Sequence, residues 1–286
     1  MWKMFIELMQ DADKNKILSY MLPYEKFSVT LYSEILHGGK SIYVLRGNFG
    51  EIHGIFSWWQ GSSIHHCLPE VYGKNRSEIE SAFVKFFEEN SIKYIFSISG
   101  EKSGTLMLKK ILENSFEKTP KVQIEYFLME NGRFDSAKDL ARMNRQLSVE
   151  KCGEQEISRV FPLQIEFEKE EVVFEPELFN EDHCLAKFEN FVDAGAVFVG
   201  KIKNAPLCKL TVSAQGKNYV LLGGVFTVPK YRNCGLAKAL LNSVSQKFAA
   251  QSKKCTLFVK TENKAAIKVY EKTGFKKFCN FEILYY

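Results

Sequence analysis

The chain has 286 residues, 45% of them hydrophobic and 14% aromatic, with a formal net charge of +5. That composition suits one large or two small folded domains and excludes a disordered chain. Seven cysteines, odd in number and scattered at 67, 152, 184, 208, 234, 255 and 279, argue against a disulfide frame or a zinc site and for reduced thiols in a cytoplasm.

The opening "MWKMFIELMQDADKNK" meets acids and lysines too early for a signal peptide. Helical patterns are expected over 2–20 and 25–36. Strand patterns follow at 41–47, 51–59 and 63–68, separated by turn residues. The uncharged run Ile52–Pro69 contains Gln60, Ser62, Ser63, His65 and His66, so it reads as strands and a turn rather than a membrane span. Ile79, Phe83, Phe86 and Phe87 recur at helical spacing, with Ser77 as the expected cap. Strand 93–99, helix 104–114 and strand 121–130 complete the first half. His65 and His66 are neighbours on a strand, so they face opposite ways and cannot converge on one metal ion. Trp58 and Trp59 diverge in the same way.

The polar stretch 131–151 reads as a linker region. Beyond it the order of elements repeats: helices near 154–170 and 181–193, then strands at 196–202, 207–214 and 219–228. Helix 235–250, strand 255–260, helix 263–273 and a last strand from Lys277 end the chain. Asn180 is the expected cap of helix 181–193. Two halves with one element order point to a duplicated α/β unit, layered as α+β.

The segment from Val228 to Tyr286 carries 12 Lys or Arg against 3 Glu, a balance that suits a phosphate-rich ligand. Within it, "VFTVPKYRNCGLAKALL" joins a strand, a proline, basic residues and a glycine to an amphipathic helix. The first turn of that helix offers unpaired N–H groups and the positive end of a dipole, an anion cradle made largely of backbone. It lacks the GK[ST] of a P-loop and has one glycine where a dinucleotide fingerprint needs three.

"GGVFTVPKYRNCGLAKALL", followed by "LFVKTENKAAIKVYEKTGF", resembles the acetyl-CoA-binding half of the GNAT superfamily of N-acetyltransferases. The family's [QR]-x-x-G-x-[GA] pattern matches Arg232, Asn233, Cys234, Gly235, Leu236 and Ala237. Its succession of strand, Asn, helix, Tyr and Gly-Phe matches Val259, Asn263, Ala266, Tyr270, Gly274 and Phe275. The match covers roughly residues 219–276. Element order carries it over the C-terminal half and, more weakly, the N-terminal half.

The resemblance implies two GNAT-like domains, each a mixed, mostly antiparallel sheet flanked by helices. They would be a degenerate N-terminal one at 1–132 and an acetyl-CoA-binding one at 151–286, joined by a linker at 133–150. It implies no metal, and a monomer or homodimer that binds no membrane. The donor would be acetyl-CoA, with its pyrophosphate on the amides from Asn233 to Lys238. Its pantetheine would lie along Phe226, Thr227 and Val228, bordered by Asn263, Ala266 and Tyr270. A backbone N–H near Val228 would serve the thioester oxygen and Tyr270 the departing thiolate, while a primary amine of a small molecule or peptide attacks directly. No base is identified: Glu166, Glu170, Glu171 and Glu177 read as solvated helix charges and His183 as a surface or packed residue. The N-terminal half has no counterpart of the Arg232–Ala237 loop. A non-catalytic acyl-CoA sensor is the alternative reading. Nucleic-acid binding is the weakest, since the lysines are dispersed and no aromatic platform accompanies them.

Overall fold

The computed structural model describes residues 4–59, 62–73, 75–131, 147–173, 177 and 179–286. In chain order its regular elements begin with β1 (Phe5–Leu8), α1 (Lys14–Met21), α2 (Val29–Leu36), β2 (Ile42–Arg46), β3 (Ile52–Trp59) and β4 (Ser63–Cys67). Next come α3 (Arg76–Glu89), β5 (Ser97–Glu101), α4 (Lys102–Phe116), β6 (Val122–Asn131) and β7 (Ser148–Lys151). The chain continues through α5 (Ile157–Phe167), α6 (Glu181–Asp193), β8 (Val197–Ile202), β9 (Ala205–Gln215) and β10 (Tyr219–Thr227). It ends with α7 (Leu236–Ala249), β11 (Lys254–Lys260), α8 (Lys264–Glu271) and β12 (Phe275–Tyr285).

The elements group into two compact units. The first is Met1–Met129 with Phe258–Glu262 and Lys277–Tyr286; the second is Glu130–Leu257 with Asn263–Lys276. This division departs from a single cut in the linker. The last strand, β12, pairs antiparallel with β5, Phe281 opposite Glu101 and Tyr285 opposite Ser97. Phe258 packs on Phe281 at a ring separation of 4.4 Å, and the Thr261 amide donates to Glu125 O. These bonds draw C-terminal residues into the first unit.

In the first unit the sheet order is β1-β2-β3-β4-β5-β12-β6. The strand period of two sends alternate residues to opposite faces. Val44 packs with Ile17, Met21, Leu31 and Ile35 of α1 and α2, whereas Leu45 packs with Phe83, Phe86 and Phe87 of α3. The N-terminal helix expected over 2–20 is shorter, because Phe5–Leu8 extends and pairs antiparallel with β2. Ser77 is not the cap of α3: the helix starts at Arg76 after Asn75, with no side-chain cap bond. His66 donates to or accepts from Thr105 Oγ1 through Nε2 at 2.9 Å, and His65 meets Ser99 Oγ through Nδ1 at 2.6 Å. Trp58 is buried among the α3 aromatics; the Trp59 side chain lies outside the described residues.

In the second unit the order is β11-β10-β9-β8-β7. Residues 133–146 of the expected linker lie outside the described residues, and Ser148–Lys151 beyond them pairs antiparallel with β8. Val197 and Val199 pack on Phe161, Phe188 and Val192 of α5 and α6. Phe198, between them, faces Phe248 of α7 on the other side. Truncating a ring as buried as Phe188 would cost about 3–5 kcal/mol. The Asn180 side chain caps α6 by accepting from the His183 amide at 2.8 Å.

Candidate functional site

β10 and β11 run parallel and pair from Tyr219–Lys254 to Leu222–Leu257. Beyond Leu222 the pairing stops while β10 continues to Thr227, so the two strands part and leave an open edge. The cause lies on the other side of β10. Against β9, Gly223 faces Thr211 and Phe226 faces Lys209, so β10 carries one extra residue there. Such a bulge bends its strand and turns the following backbone. Gly224 takes φ +56, a left-handed value that glycine adopts without a Cβ penalty.

The antiparallel ladder decides which amides face the gap. Val228 N donates to Leu207 O at 2.9 Å, so Val228 is tied to β9. Bonded and non-bonded pairs alternate, which sends the backbone groups of Phe226 toward β9 and those of Val225 and Thr227 toward the open edge. The sequence expectation that placed a free amide near Val228 is corrected by one residue: the amide facing the gap is that of Thr227. Its carbonyl accepts from Arg232 Nε at 3.1 Å.

After Pro229–Tyr231 the chain passes through two left-handed residues, Asn233 (φ +63) and Gly235 (φ +78), into α7. Gly235 caps the helix without any side-chain bond to its first turn. The amides of Leu236, Ala237 and Lys238 therefore have neither an intrahelical acceptor nor a side-chain cap, and they carry the positive end of the dipole. Opposite them α8 is capped by Asn263, whose Oδ1 accepts from the Ala266 amide at 3.0 Å.

A cleft of about 570 Å³ runs between these features. Phe226, Thr227, Arg232, Asn233, Gly235, Leu236, Ala237, Lys238, Asn263, Ala266 and Tyr270 all line it. Of the residues expected from the sequence, Val228 and Cys234 do not. Lys264 and Lys268 of α8, with Lys272 just after it, add positive charge to the wall that Lys238 already lines.

The other wall is acidic. At the end of α5 the helix widens into a π turn, Glu168–Val172, a feature that often accompanies functional sites. From it Glu170 pairs with Arg232 at 2.5 Å, and Glu171 Oε1 accepts from Asn263 Nδ2 at 3.0 Å. These two carboxylates line the cleft while staying in contact with solvent: Glu170 is exposed and Glu171 half-buried. His183 and Glu177 are exposed and do not line it. Tyr270 is buried, and burial first, then the nearby Glu171 charge, raises its phenol well above the usual value. It stays protonated across the physiological range. Among the described residues no group of three His, Cys, Asp or Glu is placed to hold a metal.

Comparisons with known proteins bear on the fold that builds this cleft. Residues 207–283 match the family model described as FR47-like protein. An acetyltransferase of the GNAT family from Colwellia psychrerythraea superposes with a TM-score of 0.60 at 13% identity, covering 98% of this chain and 99% of that one. The chain has the GNAT fold. A GCN5-related N-acetyltransferase from Sphaerobacter thermophilus gives 0.58 at 10% identity over 98% of this chain and 94% of its own. A tandem GNAT protein from the clavulanic acid biosynthesis pathway gives 0.59 at 11% identity over 99% and 98%. A comparison with curated protein sequences finds no match. The GNAT likeness thus extends over both units, while the family-model match begins at β9. No described helix is long and apolar enough to cross a membrane.

Proposed function

We propose that the second unit is an N-acetyltransferase that moves an acetyl group from acetyl-CoA to a primary amine of a small molecule or peptide. The observation that carries this reading is the parting of β10 from β11 beside the uncapped start of α7. An extended pantetheine arm can bond to the exposed Val225 and Thr227 edge as an added strand would. The pyrophosphate then meets the amides from Asn233 to Lys238, with Arg232 and the α8 lysines adding charge.

On this reading the Thr227 amide donates to the thioester oxygen as negative charge develops there. The amine nitrogen attacks the acyl carbon, the C–S bond breaks, and the electron pair stays on sulfur. Tyr270 donates to that sulfur, and the proton lost by the amine goes to the carboxylate of Glu171. Two carboxylates on the acceptor side also favour an amine that arrives as a cation. They count against the sensor reading, which keeps the cradle but lacks a working base.

The first unit would be the degenerate copy, one that binds no donor. The test is a panel of amines and peptides offered with acetyl-CoA, read by release of free CoA thiol and paired with calorimetry of CoA binding. Binding without turnover on any amine would favour the sensor. Absence of binding would overturn both readings.

A further inference from the structure

Lys209 has no exposed surface, and none of the roles above uses it. It sits on β9 opposite Phe226, beneath the bulge. Its Nζ donates to the carbonyl of Gly224 at 3.0 Å and lies 4.6 Å from the centre of the Phe167 ring. A buried amine is expensive to desolvate, so its neighbours are informative. A bulge leaves a backbone group outside the ladder, and the half-buried Gly224 carbonyl finds its donor in a side chain. Lys209 supplies that donor to the one residue of β10 in the left-handed region. The fit is close: a Cβ added at Gly224 would come within 3.0 Å of Lys209 Nζ and 3.1 Å of Thr211 Oγ1.

We propose that Lys209 is a positioning residue, clamping the Gly224 carbonyl and thereby holding the bulge that turns the Val225 and Thr227 amides into the cleft. The inference rests on the proposed donor site but concerns the strand that builds it.

The clamp is sensitive to protonation. Burial pulls the Lys209 ammonium down to about 7, and the charge of Glu168 opposes that pull. The groups around it are Glu168 from the π turn, Cys184 and Lys187 from α6, the Phe167 ring from α5 and the Gly224 carbonyl from β10. Glu168 is itself held by Gln164 Nε2 at 2.8 Å. A charged donor makes the stronger bond to a carbonyl. The clamp is therefore tightest below about pH 7 and loosens as the pH rises through it.

Gly224–Val225 is the only Gly–Val step in the sequence. Protein labelled with carbonyl-¹³C glycine and ¹⁵N valine therefore gives one correlated signal from the bulge. In the wild type that signal should titrate with a midpoint near pH 7, and in Lys209→Met it should not. Calorimetry with CoA should find the variant about tenfold weaker at pH 6.5, on the scale of one hydrogen bond to a charged group. The wild type should lose that advantage by pH 8.5, whereas any titration of the CoA phosphates is common to both proteins. A Gly224 signal that does not move with pH overturns the clamp, and this readout needs no variant to fold. A titrating signal with equal CoA affinity in both proteins overturns the positioning role. If the wild type binds no CoA while the signal titrates, the clamp stands and the donor-site reading fails.

Discussion

The Asn263 side chain faces two ways: Oδ1 caps α8 at Ala266, and Nδ2 holds Glu171 Oε1 at 3.0 Å. One residue thus fixes both the helix that carries Tyr270 and the carboxylate whose charge reaches the Tyr270 phenol. Glu171→Gln keeps a carbonyl oxygen for Asn263 but cannot take a proton. Turnover should fall by roughly 10²-fold, the usual scale for a lost general base, with CoA affinity unchanged by calorimetry. Asn263→Ala should cost the helix about 1 kcal/mol through the missing cap and lower turnover as well. Wild-type turnover in the Gln variant would remove Glu171 from the mechanism.

Gly235 tests the cradle. Its φ of +78 strains any branched side chain, and it stands directly before the uncapped amides. Gly235→Val should abolish CoA binding, because the side chain occupies the path by which a phosphate reaches the amides. It should also lower stability by about 1–2 kcal/mol, the penalty for a left-handed non-glycine residue, while the unit remains folded. Calorimetry and a thermal melt separate the two effects. Unchanged CoA affinity would rule the cradle out.

The architecture was legible in the sequence wherever a residue's period decided its surroundings. The α3 phenylalanines at helical spacing, the apolar runs of β2 and β8, and the Asn180 cap are properties of a few neighbouring residues. What depends on distant pairing was hidden. Phe5–Leu8 has no strong strand pattern and extends because β2 supplies partners. β12 looks like the end of its own half and joins β5 instead. In the cleft, the Arg232–Ala237 loop was visible because glycine and a helix start leave local marks. The one-residue shift from Val228 to Thr227 was not, since only the ladder with Leu207 reveals it. Glu170 and Glu171 were in view as residues, but the π turn that aims them leaves no signal in composition. Lys209 was a lone lysine within an apolar strand, a mark that could have been followed.

One donor should bind per chain. In the first unit β4 and β5 are also parallel and pair only from Ser63–Ser97 to His65–Ser99. The next residue, His66, closes the space beyond: its buried ring presses against Gly100 and Gly104, where any Cβ would overlap it. Two CoA molecules in a titration would refute this closure. The same ring gives an acid-side signature. Burial, with a smaller contribution from His65, lowers His66 to about 3, against about 6.5 when unfolded. Between those values the unfolded chain holds a proton that the folded one does not, so stability should fall as the pH drops from about 6.5 toward 3. Replacing His66 by Gln should flatten that part of the profile in denaturant melts.

Tyr270 offers the sharpest test of the chemistry. It lines the cleft on α8, one turn from Ala266, with its phenol buried. Burial and the Glu171 charge both favour the neutral form, so at neutral pH the group is always a donor. The same shift makes it a weak acid, and its main service to a departing thiolate is a hydrogen bond that strengthens as charge builds on sulfur. Tyr270→Phe removes that oxygen and keeps the ring packed on Phe275, whose centroid lies 6.2 Å away. CoA affinity should change little, because the amides from Asn233 to Lys238 are untouched. Turnover should fall by roughly 10²-fold or more. The loss should appear in kcat and not in KM for acetyl-CoA, as for an interaction made only in the transition state. No limb of the pH profile below pH 9 should vanish in the variant, since the phenol does not titrate there. If the Phe variant turns over like wild type on the true acceptor, Tyr270 is a packing residue and the thiolate leaves with a proton from water.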